Sequence, residues 1–149
     1  MKKIFFAALV VIICLSAACA ADTKVTKITG IASLGSTKTQ VLESFGKPDS
    51  PQKYDFYYEK MNSEIIVTFN DKTSLAESII VRGQNPKYAV NGIKVGSTKN
   101  DVAKAFGKPE KKFVYKKSDT ECWYYPSQNL GFAFNNGKVA SFSVNNINY

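Results

Sequence analysis

The chain has 149 residues, with 20 lysines and arginines against 12 acidic residues, so its formal net charge is +8 at neutral pH. It contains no histidine, which excludes Ser-His-Asp and Cys-His nucleophile systems as well as histidine metal sites. We therefore expect a protein that is not an enzyme and that holds neither a cofactor nor a metal. The basic balance favours anionic partners such as acidic proteins, envelope polymers or lipid headgroups.

The first 20 residues have the order of a secretory signal peptide (1–20). Lys2 and Lys3 form a positive start, an apolar run follows, and Ala18-Cys19-Ala20 has the small-x-small pattern at which a signal peptidase cuts. The segment predicts export, with the mature protein either secreted or associated with the cell envelope. Because the residues that end at Cys19 look like a lipoprotein box shifted by one position, an acylated Cys19 that anchors the protein to a membrane is the alternative.

An internal repeat follows the signal segment. Gly35–Val41 is matched by Gly96–Val102, and Phe45–Asp49 is matched by Phe106–Glu110, both at an offset of 61 residues. Self-similarity at one constant offset indicates two copies of the same structural unit.

Each copy of the repeated block predicts a short helix with defined ends. Thr37 with Gln40, like Thr98 with Asp101, has the spacing of a capping box, in which the two side chains satisfy amide groups of the first turn. Gly46 fits the position after the helix end, and a proline two residues later stops the helix. The second copy repeats both features, so we expect two helices of about ten residues.

After each helix, apolar residues recur at every second position, which predicts antiparallel strands joined by short turns. We therefore predict an α+β fold of two tandem repeats, at 26–85 and 88–149, each a short helix followed by a three- to four-stranded antiparallel meander. The joint falls at 84–86, where a proline follows two polar residues. Because one such unit has little core, we expect the sheets to join side by side with the helices on one face.

Adjacent aromatic residues on the predicted strands supply the first candidate binding residues. In Phe56-Tyr57-Tyr58 and Trp123-Tyr124-Tyr125, neighbouring side chains must point to opposite faces of a sheet, so the open face receives aromatic rings from both copies. Such rings suit protein binding, because they bury a large area at low entropic cost. We select Tyr57, Trp123 and Tyr124 as partner-binding candidates. The alternative is that these rings only stabilise the sheet by cross-strand packing.

A polar hairpin at Glu59–Glu64 projects between two predicted strands of the first copy. Loop tips on a rigid sheet are where recognition residues often lie, so Glu59, Met61 and Glu64 join the partner-binding candidates. The alternative is an ordinary polar turn.

Lysines concentrate near the predicted helix ends, above all in the second copy, where they form a surface for an anionic envelope polymer or lipid. The alternative is a solvated face. We expect no nucleic-acid partner, because no nucleic-acid motif is present. Cys122 is the one cysteine beyond the signal segment, and without a histidine to activate it we expect a structural, unreactive thiol.

The doubled block, G-S-T-K-x-x-V-x-x-x-F-G-K-P in its first copy, resembles the helix-opening signature of the beta-lactamase inhibitor protein family. It is also similar to the small outer-membrane assembly lipoproteins of the BamE/OmlA type. The tandem arrangement looks more like the inhibitor family, and that resemblance implies a curved sheet whose concave face grips a protein. It further implies that the target-entering hairpin falls near Glu59–Glu64, although the family's disulfides and its inhibitory aspartate are absent here.

Together these patterns predict an extracytoplasmic, non-catalytic protein-binding module, inhibitor-like in the way it grips a partner with its open sheet face. The alternatives are an assembly or structural lipoprotein of the cell envelope and a binder of anionic wall polymer.

Overall fold

The computed structural model describes residues 24–85 and 87–146. The predicted signal segment 1–20, with Cys19, lies outside the described residues, as does Pro86 of the predicted joint. The secondary structure elements, in chain order, are α1 (Lys38–Phe45), β1 (Ser50–Pro51), β2 (Asp55–Lys60), β3 (Ser63–Phe69), β4 (Ala76–Gly83), α2 (Lys99–Phe106), β5 (Lys111–Tyr115), β6 (Thr120–Tyr125), a 3-10 turn (Pro126–Gln128), β7 (Leu130–Asn135) and β8 (Lys138–Asn145).

All eight of these strands belong to one antiparallel sheet, in the order β1-β2-β3-β4-β8-β7-β6-β5. The last strand of each half lies at the centre, where Ile79 pairs with Val144 and Val81 pairs with Phe142. The ladder therefore runs without a break from one edge of the sheet to the other.

The predicted α+β fold of two tandem helix-plus-meander repeats was wrong. The described chain is a single eight-stranded antiparallel sheet with two short helices of eight residues each, so the sheet dominates the structure. The physical reason is the β4–β8 ladder, which continues the backbone hydrogen bonding across the point where the sheets of the two repeats were expected to join side by side. The domain boundaries at 26–85 and 88–149 stay predictions.

One hydrophobic core spans both halves of the sheet. The helices cover one face of it with Val41, Val102 and Phe106, which pack in the same cluster as the inward side chains of the strands. The segment after the predicted joint belongs to this core as well, since Tyr88 and Val90 are only 2% and 1% exposed. The chain that follows the joint is thus packed into the protein at these residues.

Capping boxes begin both helices, as the sequence predicts. The Thr37 hydroxyl accepts from the Gln40 amide at 3.2 Å, and the Thr37 amide donates to the Gln40 side chain at 2.9 Å. Thr98 and Asp101 make the same two bonds at α2, which confirms the prediction. Each helix is therefore fixed at its first turn by its own sequence.

Two buried tyrosines hold the C-terminal ends of the two helices by hydrogen bonds. Tyr58 donates its hydroxyl proton to the Gly46 carbonyl at 3.2 Å, and Tyr125 donates to the Gly107 carbonyl at 3.1 Å. Both glycines cap helices, where carbonyl groups lack intrahelical partners. Burial raises the pKa of Tyr58 to about 12, with the nearby charge of Asp49 as a second cause. Burial also raises the pKa of Tyr125 to about 12.

These hydroxyls predict an alkaline limit to stability. An ordinary tyrosine ionises near pH 10, so the unfolded chain loses these protons before the folded chain does, and the free energy of unfolding falls as pH rises from about 10 to 12. Tyr58→Phe with Tyr125→Phe is expected to cost about 1 kcal/mol per lost hydrogen bond at pH 7 and to make this decline shallower. Urea unfolding at a series of pH values measures both effects. Tyr54→Phe, at an exposed tyrosine, is the control that should keep the wild-type slope, and an equally steep slope in the double variant would contradict the assignment.

Candidate functional site

The face of the sheet opposite the helices carries a row of side chains that crosses both halves. Its members stand opposite one another from strand to strand, and we call them the cross-sheet row: Tyr57, Ile66, Ile80, Ser143, Gly131 and Tyr124, from β2 to β6. A tyrosine therefore lies near each end of the row, with two isoleucines and two small residues between them. The row forms because residues on one face recur at every second position of each strand.

Comparing the burial of the row residues with that of their neighbours in the chain shows which face of the sheet is not covered. In β4, Ile79 is completely buried and Ile80 is half-buried, although the two isoleucines are adjacent. Tyr57 and Tyr124 are half-buried as well, with buried neighbours on both sides in the chain. We call this side of the sheet the open face.

A shallow depression of about 190 Å³ lies at the centre of the open face, across the seam between the halves. Its floor consists of small residues, and Ile80 and Arg82 border it on one side while Cys122 and Tyr124 border it on the other. The small residues of the floor are Gly131, Ala133, Ser141 and Ser143. The depression exists because short side chains stand between longer ones on a continuous sheet.

Gly131 allows the Tyr124 ring to lie against the backbone of β7. A Cβ atom at this position would stand 3.3 Å from the ring of Tyr124 and 2.9 Å from the Ser143 hydroxyl. On its other side, Tyr124 meets Phe113 edge-on, with the ring centroids 5.7 Å apart. Tyr124 is thus held in place at the border of the depression.

The predicted hairpin is a tight two-residue turn at one end of the open face. Met61 and Asn62 both have positive φ, and the Met61 side chain is 76% exposed. Glu59 and Glu64 stand directly opposite each other on the flanking strands, an arrangement of like charges that destabilises a strand pair. Arg82 lies 3.4 Å from the Glu64 carboxylate, which offsets part of this repulsion. The hairpin therefore presents an exposed apolar tip beside an acidic pair.

Trp123 lies on the other side of the sheet, away from these candidates. It is 7% exposed and packs against Phe134 in the core, with the ring centroids 4.9 Å apart. Its indole N–H donates to the Glu121 carboxylate, and the Lys112 ammonium stands 4.4 Å from the centre of its ring. The structure thus brings Tyr57 and Tyr124 onto the open face and leaves Trp123 out of it.

Sequence reasoning missed the middle of the cross-sheet row. Ile66 and Ile80 alternate with buried neighbours, so the period of two was available as a signal. Gly131 and Ser143 carry no local signal, because they are brought together only by the register of β7 and β8.

The described residues also bear on whether the protein has a reactive thiol, a metal cluster or a membrane-spanning helix. Cys122 is 8% exposed at the border of the depression, and burial raises the pKa of its thiol, which opposes nucleophilic reactivity. Within 24–85 and 87–146, no cluster of three acidic or cysteine side chains has the arrangement to hold a metal ion. In those same ranges, no helix has the length and apolar composition needed to cross a membrane.

No protein-family model matches the sequence, and no curated protein matches it. Solved structures do resemble it. A DUF4309 family protein, YjgB, from Bacillus subtilis has a TM-score of 0.51 and 15% identity, over 74% of this chain and 78% of that chain. A cysteine-rich secretory protein from Staphylococcus aureus has a TM-score of 0.52 and 16% identity. An extracellular protein with an SCP domain from Bacillus anthracis has a TM-score of 0.52 and 11% identity.

The last two matches cover 74% of this chain but only 43% of the other protein, so this chain spans less than half of their length. At such identities the likeness shows a shared fold and nothing of function. The resemblance to the beta-lactamase inhibitor protein family and to the BamE/OmlA lipoproteins stays a prediction, because these structures come from other families.

We expect truncation of the two neighbouring isoleucines of β4 to lower the free energy of unfolding by different amounts. Ile79→Ala removes a completely buried side chain, and we expect it to lower the free energy of unfolding by about 3 kcal/mol. Ile80→Ala removes a half-buried side chain of the same kind from the open face, and we expect a loss of about 1 kcal/mol. Urea unfolding of the two variants compares them directly. Equal losses would show that a further layer of structure covers the open face.

Proposed function

We propose that this protein is an extracytoplasmic, non-catalytic module that binds another protein through its open face. The observation that carries the proposal is the cross-sheet row, which runs from Tyr57 to Tyr124 on a face that the helices do not cover and passes a depression that Tyr124 borders. Tyrosines on such a face suit protein recognition, because their rings bury a large area while their hydroxyls still find polar partners.

The small residues of the depression favour binding over the alternative that the row only stabilises the sheet. A glycine inside a strand weakens it, and Gly131 is the second of the six residues of β7. A stabilising row would place β-branched or aromatic side chains there, as it does at Ile66 and Ile80. The Tyr124 ring and the Ser143 hydroxyl stand over Gly131, and the depression lies beside them, where its lining includes the small residues Ala133 and Ser141.

The hairpin extends this surface at one end. Met61 offers a flexible apolar side chain that adapts to a partner, and the opposed Glu59 and Glu64 offer a negative charge that the fold itself does not favour. In an inhibitor-like protein, these three residues would enter the partner's cleft while the cross-sheet row supports them.

The location of the protein rests on the signal segment 1–20. Cleavage after it releases a secreted protein, whereas acylation at Cys19 anchors the protein to a membrane, as in an envelope assembly lipoprotein. Either form leaves the open face available to an extracytoplasmic protein.

Site-specific photo-crosslinking tests the proposal. A photoreactive amino acid replaces Ile66 on the open face in one variant and Leu42, which is 39% exposed on α1, in the matched variant. We expect the Ile66 variant to capture one dominant protein from the envelope and secreted fractions, and the Leu42 variant not to capture it. Capture by Leu42 alone, or salt-sensitive retention on wall polymer without a captured protein, would contradict the proposal.

The captured partner then permits a measurement of affinity. Tyr57→Ala with Tyr124→Ala should raise the dissociation constant about 30-fold or more, which is the loss expected when central aromatic contacts are truncated. Tyr54→Ala, an exposed tyrosine outside the row, should change it less than about twofold. Unchanged affinity in a folded double variant would rule out the cross-sheet row as the contact surface.

A further inference from the structure

The two edges of the sheet are built differently. At one edge, β1 has two residues and includes Pro51, which lacks an N–H group to offer to another strand. At the other edge, β5 has five residues, and no described strand pairs with its outer side. Alternate residues of an antiparallel edge strand direct their N–H and C=O groups outward. The β5 edge is thus better suited than the β1 edge to accept a further strand.

The side chains of β5 are exposed on both sides of the sheet. Phe113, Val114 and Tyr115 are 51%, 64% and 55% exposed, although they follow one another in the chain. An edge that presents three successive apolar side chains is one that proteins usually avoid, because it invites pairing with another chain. These residues therefore form an apolar strip along the edge.

Lysines bracket this strip on both sides. Lys111 and Lys112 precede the apolar residues, and Lys116 and Lys117 follow them, which gives the sequence Lys-Lys-Phe-Val-Tyr-Lys-Lys. All four are exposed. A partner with carboxylates at both ends of an extended segment matches this arrangement.

Two carboxylates near the strip are engaged within the protein. Glu110 accepts hydrogen bonds from the Ser127 amide at 3.1 Å and from its hydroxyl at 2.6 Å. Glu121 pairs with Lys99 and accepts the N–H of Trp123, which holds its pKa below the usual range. Glu121 also acts on Lys112, so the positive charge of the edge is carried mainly by the other lysines of the strip.

A second copy of this chain is a poor occupant of the edge. Antiparallel pairing of β5 with itself about Val114, the register that centres the apolar strip, would place Lys111 opposite Lys117 and Lys112 opposite Lys116, and like charges on adjacent strands are destabilising. The lysines thus oppose self-association while they attract an acidic segment.

We propose that the β5 edge binds an extended acidic segment of another protein, which adds to the sheet as a further strand. The backbone of the segment would supply the ladder hydrogen bonds, and its alternating apolar side chains would contact Phe113 and Tyr115 on one face and Val114 on the other. Its flanking carboxylates would meet the lysines at both ends of the strip. This edge is separate from the cross-sheet row, so the two surfaces can be tested independently.

Binding of a synthetic peptide to the protein without its signal segment tests the proposal for the β5 edge. The probe has about nine residues, with alternating valines and threonines flanked by two glutamates at each end, a length that matches the strand and its lysines. NMR titration should give the largest amide shifts at 111–117, with little change at Tyr57. A peptide with N-methyl groups on alternate residues should not bind, because it cannot complete the ladder.

Charge reversal supplies the matched comparison. Lys116→Glu with Lys117→Glu should weaken peptide binding about tenfold, whereas Lys47→Glu with Lys72→Glu, which changes the net charge equally at exposed positions of the first half, should leave it within about twofold. The proposal is overturned by equal binding of a peptide flanked by lysines, by shifts away from β5, by dimerisation of the free protein through β5, or by retention on anionic lipid vesicles without peptide binding.

Discussion

The pairing of β4 with β8 is the interaction on which the rest of this structure depends. On the helix side, it brings Ile79, Val81, Phe142 and Val144 together at no more than 1% exposure, and these residues join the cores of both halves. On the other side, the same two strands supply residues that line the central depression. The candidate site is thus a product of the seam, since neither half contains the depression by itself.

The attachment of the helices keeps one face of this sheet uncovered. At its beginning, α1 is tied to β4 by a hydrogen bond from the Gly35 amide to the Ala76 carbonyl at 2.7 Å. At its end, Tyr58 holds the Gly46 carbonyl, and α2 is bound in the same way at both ends. A helix fixed at both ends on one face cannot pack on the other. The open face and the β5 edge are what this arrangement leaves for partners.

The sequence predicted local features well, because capping boxes, turns and the period of two are set by neighbouring residues. The residue patterns by themselves could not predict the single sheet, since nothing local states that β4 pairs with β8; only the resemblance to the inhibitor family implied a continuous sheet. The residue patterns also could not assign the faces of adjacent aromatics. Tyr124 faces outward and Trp123 inward because Tyr125 is anchored to a helix end, which fixes the phase of the whole strand. Gly131 and Ser143 meet only through the register, so the depression had no local signal.

The central claim is that the open face is the binding surface. It is tested most directly by methyl NMR of this protein during titration with the partner that photo-crosslinking identifies. The methyl groups of Ile66 and Ile80 lie on the open face, and those of Val67 and Val81 lie on the same strands but face the core. The account predicts the largest shifts at the two isoleucines on titration with the partner, with smaller changes at the two valines. Shifts concentrated in α1 and α2, with the isoleucines unchanged, would contradict it.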